Sequence, residues 1–415
     1  MRKVQIWTVL LLLFAVASCF KDPHFDSGFS GEDSGTRTQP QRSYSESSRR
    51  VMIMISGGFN SLSSYLTQDL QDLEEGYLPE GTYYNSDVLL VLARKPERSG
   101  NYTPTAPVLY RLYKDREGET HRDTLKLWSE DTPLCKSETL YEALSFVQRK
   151  FPDSHYGIVF SSHATGWLPE GYYSDPSAYE SKSPRGYRTL GQDIVGNSGV
   201  EMELQEFADA IPMHLEYLLI DACLSGCVEV AYAFKDKTDI IGFSPTEVLA
   251  DGFNYLEITR HLLNADPDPV GVCREYFDYY DAQSGNNRSA TISVLDTRRM
   301  ESLAEVCREL FEKYRSQIST LDGNRVQGFF RYNKHYFYDL RDILVQAGIT
   351  SRERARLDEA LEECILYKAA TPYFLNFRIS QYCGLSMYLP SMGTPFLDSF
   401  YVSQMDWNKA TQLVK

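Results

Sequence analysis

Short apolar runs bounded by polar or turn-forming residues recur along the first half of the chain, at 51–55, 87–92, 157–160, 217–220 and 240–243. Each is apolar continuously rather than at alternate positions, which fits strands covered on both faces. Helical spacing fills the gaps over 62–73, 140–147 and 204–211, with Thr139 and Glu142 at capping-box distance. Strand and helix in alternation predict a largely parallel α/β sandwich. Beyond about Leu256 helical spacing dominates, over 300–313, 338–347 and 352–367, with one late strand-like piece at 385–389. This half is expected to complete the sheet and brace it. Residues 168–200 are rich in Gly, Ser, Pro, Tyr and Asp without a period and read as a long loop. Long loops inside compact domains are often functional. The chain has no internal repeat and no Gly-rich phosphate loop.

Residues 1–19 carry Arg2 and Lys3, an apolar run over 9–16, and the small residues Ala17 and Ser18. That is the layout of an export signal, and the run is too short to span a bilayer as a mature helix. Val16-Ala17-Ser18-Cys19 resembles a bacterial lipobox, which makes Cys19 the expected lipidated N-terminus; an ordinary signal peptide cut near Cys19 is the alternative. Several acyl chains on one cysteine anchor stably, at roughly 0.8 kcal/mol per buried CH₂. Residues 20–50 have few aliphatics and the composition of a flexible tether. Folding is expected to start near Val51, with a core over 51–260 and a C-terminal portion, 261–415, packing on it.

With 42% hydrophobic and 13% aromatic residues, the 415-residue chain has enough apolar surface for a large core. Its net charge is -15, and loss of Arg2 and Lys3 makes that -17, which disfavours nucleic acid held by phosphate contacts. Of eight cysteines, setting Cys19 aside leaves an odd number with no CxxC pair, which argues against a full disulfide framework and against a zinc site. An odd thiol in an exported protein is a candidate for chemistry.

Two of the predicted strands end in reactive side chains, and sites in open α/β sheets form at the carboxyl ends of strands. One delivers Ser161-Ser162-His163-Ala164 to a turn containing Gly166; alone this is a weak signal, since such a histidine is usually packed or simply exposed. The other delivers Asp221-Ala222-Cys223 to a turn followed by a helical pattern from Val228. A cysteine near a helix N-terminus has its thiolate stabilised. An imidazole beside it sets the sulfur's protonation and supplies a proton to a leaving amine. Cys227, four residues on, is expected to be a packed core thiol, with a disulfide or redox lock as the alternative.

This pair of motifs resembles those of the clostripain family, in the caspase-like clan of cysteine peptidases. Further similarity lies in Gly252-Phe253-Asn254-Tyr255, at 291–296, in Tyr338-Asp339-Leu340 and at 384–390, so that the resemblance runs from about 51 to 390. It implies a caspase-like three-layer α-β-α sandwich with a largely parallel central sheet. It also implies a cysteine endopeptidase with Cys223 as nucleophile, His163 as base and acid, and an oxyanion hole from the backbone N–H groups of Ala164 and Cys223. Asp221 is by resemblance the acidic residue that selects Arg or Lys at P1; a carboxylate capping the following helix is the other reading. Lys182, Arg185 and Arg188 are by resemblance candidate self-cleavage positions, or solvated loop charge. The resemblance suggests calcium, yet no EF-hand spacing is present and ligands are unknown. The family's glycine after the histidine is Ala164 here, whose Cβ disfavours a positive φ. That leaves a non-catalytic peptide-binding or scaffold homologue as the alternative function. Glycan binding is weaker, since the abundant tyrosines show no stacked pattern. The expected setting is a monomer lipid-anchored in a bacterial envelope, at the outer membrane with its face undecided, acting on polypeptides with basic P1 residues.

Overall fold

The computed structural model describes residues 49–81, 87–94, 104–169, 171–179, 190–195, 198–331 and 333–415. The export signal, Cys19 and nearly all of the tether lie outside these residues, as do Lys182, Arg185 and Arg188. Residues on both sides of 260 belong to one unit, Pro40–Lys415.

The strands include β1 (Arg50–Ser56), β2 (Val88–Ala93), β3 (Val108–Lys114), β4 (Thr120–Leu127), β5 (His155–Ser161), β6 (Leu190–Val195), β7 (Ser198–Met202), β8 (Leu215–Asp221), β9 (Thr238–Phe243), β10 (Thr291–Asp296), β11 (Tyr338–Asp339) and β12 (Ile365–Ala370). Nine of them form one sheet in the order β12-β10-β9-β8-β5-β1-β2-β3-β4. The middle five, β9 to β2, are mutually parallel. Both flanks turn antiparallel.

Alternate side chains of β1 enter two separate cores. Val51, Ile53 and Ile55 pack with the helices Ser137–Lys150, Leu204–Asp209, Val228–Ala233, Met300–Ile318 and Ser351–Cys364. Met52 and Met54 pack with Ser63–Glu75, Ile258–Leu262 and Pro269–Asp281. The sheet is therefore the middle of a three-layer α-β-α sandwich, and its parallel strands read as unbroken apolar runs because both faces are covered.

All five runs seen in the sequence are central strands. The sequence reading missed β3 and β4, whose apolar and polar residues are interleaved, and which lie at the sheet's edge. The helix expected over 352–367 ends at Cys364, and Ile365-Leu366-Tyr367 begin edge strand β12. The loop expected at 168–200 ends in the β6–β7 hairpin. Thr139 and Glu142 form no capping box, because that helix starts earlier, with Lys136 at its N-cap. Glu142 bonds Lys126 and Trp128 instead.

One buried ion pair ties the hairpin to the sheet. Arg94, at the end of β2, donates to Asp193 Oδ1 on β6 at 2.6 Å, and both side chains are essentially inaccessible. Asp193 also accepts the N–H of Phe59 at 2.9 Å and of Leu134 at 2.6 Å. Three further guanidinium donors go to the carbonyls of Thr105, Glu130 and Ile194. A buried charge pair withdrawn from water needs such additional hydrogen bonds.

Candidate functional site

β5 and β8 are adjacent and parallel, with Ser161 opposite Asp221. His163 and Cys223 each lie two residues beyond that last pair, so the register brings a histidine and a cysteine to the same carboxyl edge. Their loops also touch: Gly166, at φ +62°, lies so close that a Cβ there would sit 2.6 Å from the Leu224 carbonyl oxygen.

On the histidine side, Ser162 donates to the Gly57 carbonyl at 2.6 Å, and Gly191 of β6 donates to the His163 carbonyl at 2.9 Å. The ring's Nε2 lies 2.8 Å from Ser61 Oγ, a contact the sequence reading did not find. Its only sequence trace is the Gly57-Gly58 turn that ends β1 and puts Ser61 at the same edge. Burial pulls the imidazole below its ordinary value, so the neutral ring persists to lower pH. Ala164 is buried and is not among the positive-φ residues, so its Cβ strains nothing. Its N–H has no partner among the described residues.

On the cysteine side, the Sγ of Cys223 accepts the Val248 N–H at 3.3 Å. Leu224 stands at φ +59°, an unfavourable conformation for a branched side chain. It is held there by burial and by two bonds to the segment after β9, Leu224 N–H to Thr246 O and Gly226 N–H to Ser244 O, each at 2.8 Å. Ser244, Thr246 and Thr291 bind one another through buried hydroxyls and stiffen that segment. The helix after the cysteine is only Val228–Ala233, with Cys227 at its N-cap. The helix thus starts at Val228 as the apolar spacing predicts, and because residues 224–227 form a non-helical turn, Cys223 lies outside its first turn. Cys227 is a fully buried core thiol in no disulfide, raised by burial, which removes the redox-lock alternative.

Asp221 is buried at the floor. Its Oδ2 accepts the Phe253 N–H at 3.0 Å and the Tyr255 hydroxyl at 2.8 Å. Gly252, at φ +57°, is required because a Cβ would lie 2.1 Å from that oxygen. Asp221 therefore caps no helix after Cys223, which removes that reading. No ion pair to it exists among the described residues, and burial raises its carboxyl to about 6. Tyr276 and Tyr280, on the neighbouring helix Pro269–Asp281, have buried hydroxyls without hydrogen-bond partners, and their titration feels the Asp221 charge.

Among the described residues no group of three or more His, Cys, Asp or Glu side chains is arranged to hold a metal ion. No calcium ligands are assigned among the described residues, and no chemistry is routed through a metal.

The family model described as the clostripain family matches residues 55–412. No curated protein matches. Among solved structures, an inactive zymogen C11 protease from Parabacteroides distasonis is 29% identical, with 89% of this chain and 99% of that one covered and a TM-score of 0.71. A secreted C11 cysteine protease from Bacteroides thetaiotaomicron, in complex with an irreversible peptide inhibitor, is 22% identical, with 88% and 99% covered and a TM-score of 0.71; at that identity it supports the fold alone.

Proposed function

The chain belongs to the clostripain family and is a cysteine endopeptidase, and on that premise we propose that Cys223 is its nucleophile, His163 its general base and Asp221 its selector of Arg or Lys at P1. The observation that carries this reading is the pairing of β5 with β8, which puts both reactive side chains two residues past one register pair.

In this mechanism the Cys223 thiol passes its proton to the imidazole as sulfur bonds to the scissile carbonyl carbon. The carbonyl oxygen becomes an oxyanion facing the N–H groups of Ala164 and Cys223, donors often worth ~3 kcal/mol each in the transition state. The imidazolium then protonates the departing amine, and the same imidazole activates the water that releases the acyl group.

A P1 guanidinium answers the buried Asp221 carboxylate. An acid whose folded pKa is raised contributes a cost absent below about 4 and complete above about 6, so stability from this group falls as pH rises across that window. A bound cation offsets that cost only where the carboxyl is ionised. The ratio of kcat/KM for a fluorogenic substrate ending in Arg to that for its citrulline isostere is therefore expected to fall as pH drops through about 6. The ratio cancels ionisations of the dyad. Asp221→Asn should lower it at pH 7 on the order of 100-fold. A ratio flat with pH and unchanged in the variant would remove Asp221 from selection.

The same specificity makes Lys182, Arg185 and Arg188 substrates for the enzyme itself. Purified wild-type protein is expected to run as two chains on a denaturing gel, and the Cys223→Ala protein as one. Two chains from pure Cys223→Ala protein would exclude self-processing. The lipobox-like segment at Cys19 supports an anchor on an envelope membrane. Accumulation of the uncut precursor under globomycin, with palmitate labelling lost in Cys19→Ser, checks the anchor.

A further inference from the structure

We propose that Ser61 is the positioning residue of the histidine: its hydroxyl oxygen accepts a hydrogen bond from Nε2–H of His163 and so presents bare Nδ1 to the nucleophile. The inference rests on the Cys223–His163 reading above.

Ser61 Oγ lies 2.8 Å from Nε2, and this is the hydrogen bond its side chain makes among the described residues. A neutral imidazole has one N–H and one bare nitrogen. Nε2 is taken up by Ser61, so Nδ1 is left for the thiol. Were Ser61 the donor, Nδ1 would carry the proton and could accept none from sulfur. With Ser61 as acceptor the ring is a base, and once Nδ1 gains its proton the same oxygen accepts from an imidazolium, a stronger, charge-assisted bond.

The turn that bears Ser61 is held by its neighbours. Asn60 Nδ2 donates to the carbonyls of Gly57 at 3.2 Å and Gln192 at 2.8 Å, and Asn60 Oδ1 accepts the Leu62 N–H at 2.8 Å. Ser63 Oγ accepts the Asn60 N–H at 2.9 Å and donates to its carbonyl at 2.7 Å. Phe59 N–H is fixed on Asp193 at 2.9 Å. Asn60 and Ser63 are buried and close the turn, whereas Ser61 is exposed and contributes no bond to it. Its hydroxyl is thus surplus to the turn's own structure. Of the charged groups on elements around the ring, Asp193 is engaged with Arg94, Asp221 with Phe253 and Tyr255, and Glu247 with Arg331. Cys223, beyond β8, is the titratable side chain that the β5–β8 register sets at the same strand edge.

The test is nitrogen-15 NMR of labelled histidine in the full chain carrying Cys223→Ala, which removes thiol ionisation and self-cleavage, with kinetics on the intact nucleophile. His163 is expected as the Nε2–H tautomer. Adding Ser61→Ala should mix the tautomers and move the imidazole midpoint to lower pH, since the lost bond favours the cation. On the intact nucleophile, Ser61→Ala should lower kcat by roughly 10- to 100-fold with little change in KM. Ser61→Thr, which keeps the hydroxyl, should restore tautomer, midpoint and rate, a rescue that a folding defect would not show. Unchanged tautomer, midpoint and kcat in Ser61→Ala would overturn the proposal while the dyad stands. Full activity in His163→Ala would instead bring down the dyad, and this inference with it.

Discussion

Cys223→Ala is expected to abolish hydrolysis of fluorogenic peptides ending in Arg or Lys, a loss on the order of 10⁵-fold or more in kcat, with folding unchanged. The residue is half-buried, so truncation leaves no core cavity. An Arg chloromethyl ketone should label the wild-type protein once and the variant not at all. The other six described cysteines, Cys135, Cys227, Cys273, Cys307, Cys364 and Cys383, are buried, and burial raises each of their thiols. Thiolate is the reactive form, so none of them competes for the reagent. Turnover by Cys223→Ala, or labelling elsewhere, would defeat the assignment.

The central strands were legible because a strand covered on both faces has no polar side to disguise it, as in Met52-Ile53-Met54. The same rule hid β4, whose Thr-His-Arg-Asp start looks like loop because the sheet edge leaves it exposed. At the site, His163 and Cys223 were legible as residues ending apolar runs, and their pairing came from the family resemblance rather than from spacing. Parallel pairing of β5 with β8 is a relation between segments some sixty residues apart in sequence, which local spacing does not encode. Asp221 was named before its environment could be: the Gly252 to Tyr255 segment that receives it comes from beyond β9. Ser61 escaped because a serine in a polar turn has no distinguishing pattern. The helical pattern from Val228 was legible, but the shape of the turn before it was not, because Leu224 and Gly226 bond to Thr246 and Ser244 from beyond the next strand.

Asp193→Ala is expected to destabilise the fold by about 3–5 kcal/mol, the usual cost of leaving one member of a buried ion pair alone. The Arg94 guanidinium would keep its carbonyl partners but lose its counter-charge, and the N–H groups of Phe59 and Leu134 would lose their acceptor. Denaturant midpoints measured in the Cys223→Ala background avoid interference from proteolysis. The Arg94→Met, Asp193→Ala double variant should recover part of the loss, because no buried charge then remains. A single-variant change below about 1 kcal/mol would mean that water reaches the pair. Phe59 and β6 flank Ser61 and His163, so kcat should fall with stability.

The sheet order also decides what a break in the chain between 180 and 189 would do. Segments before the break supply β1 to β5, and segments after it supply β8, β9, β10 and β12, so the seam between the two pieces is the β5–β8 pairing in the middle of the sheet. The pieces would share one core across a dry, hydrogen-bonded seam and would travel as a single particle through a sizing column, parting only in denaturant. Severing the backbone there would remove a covalent tether between two strands already zipped together.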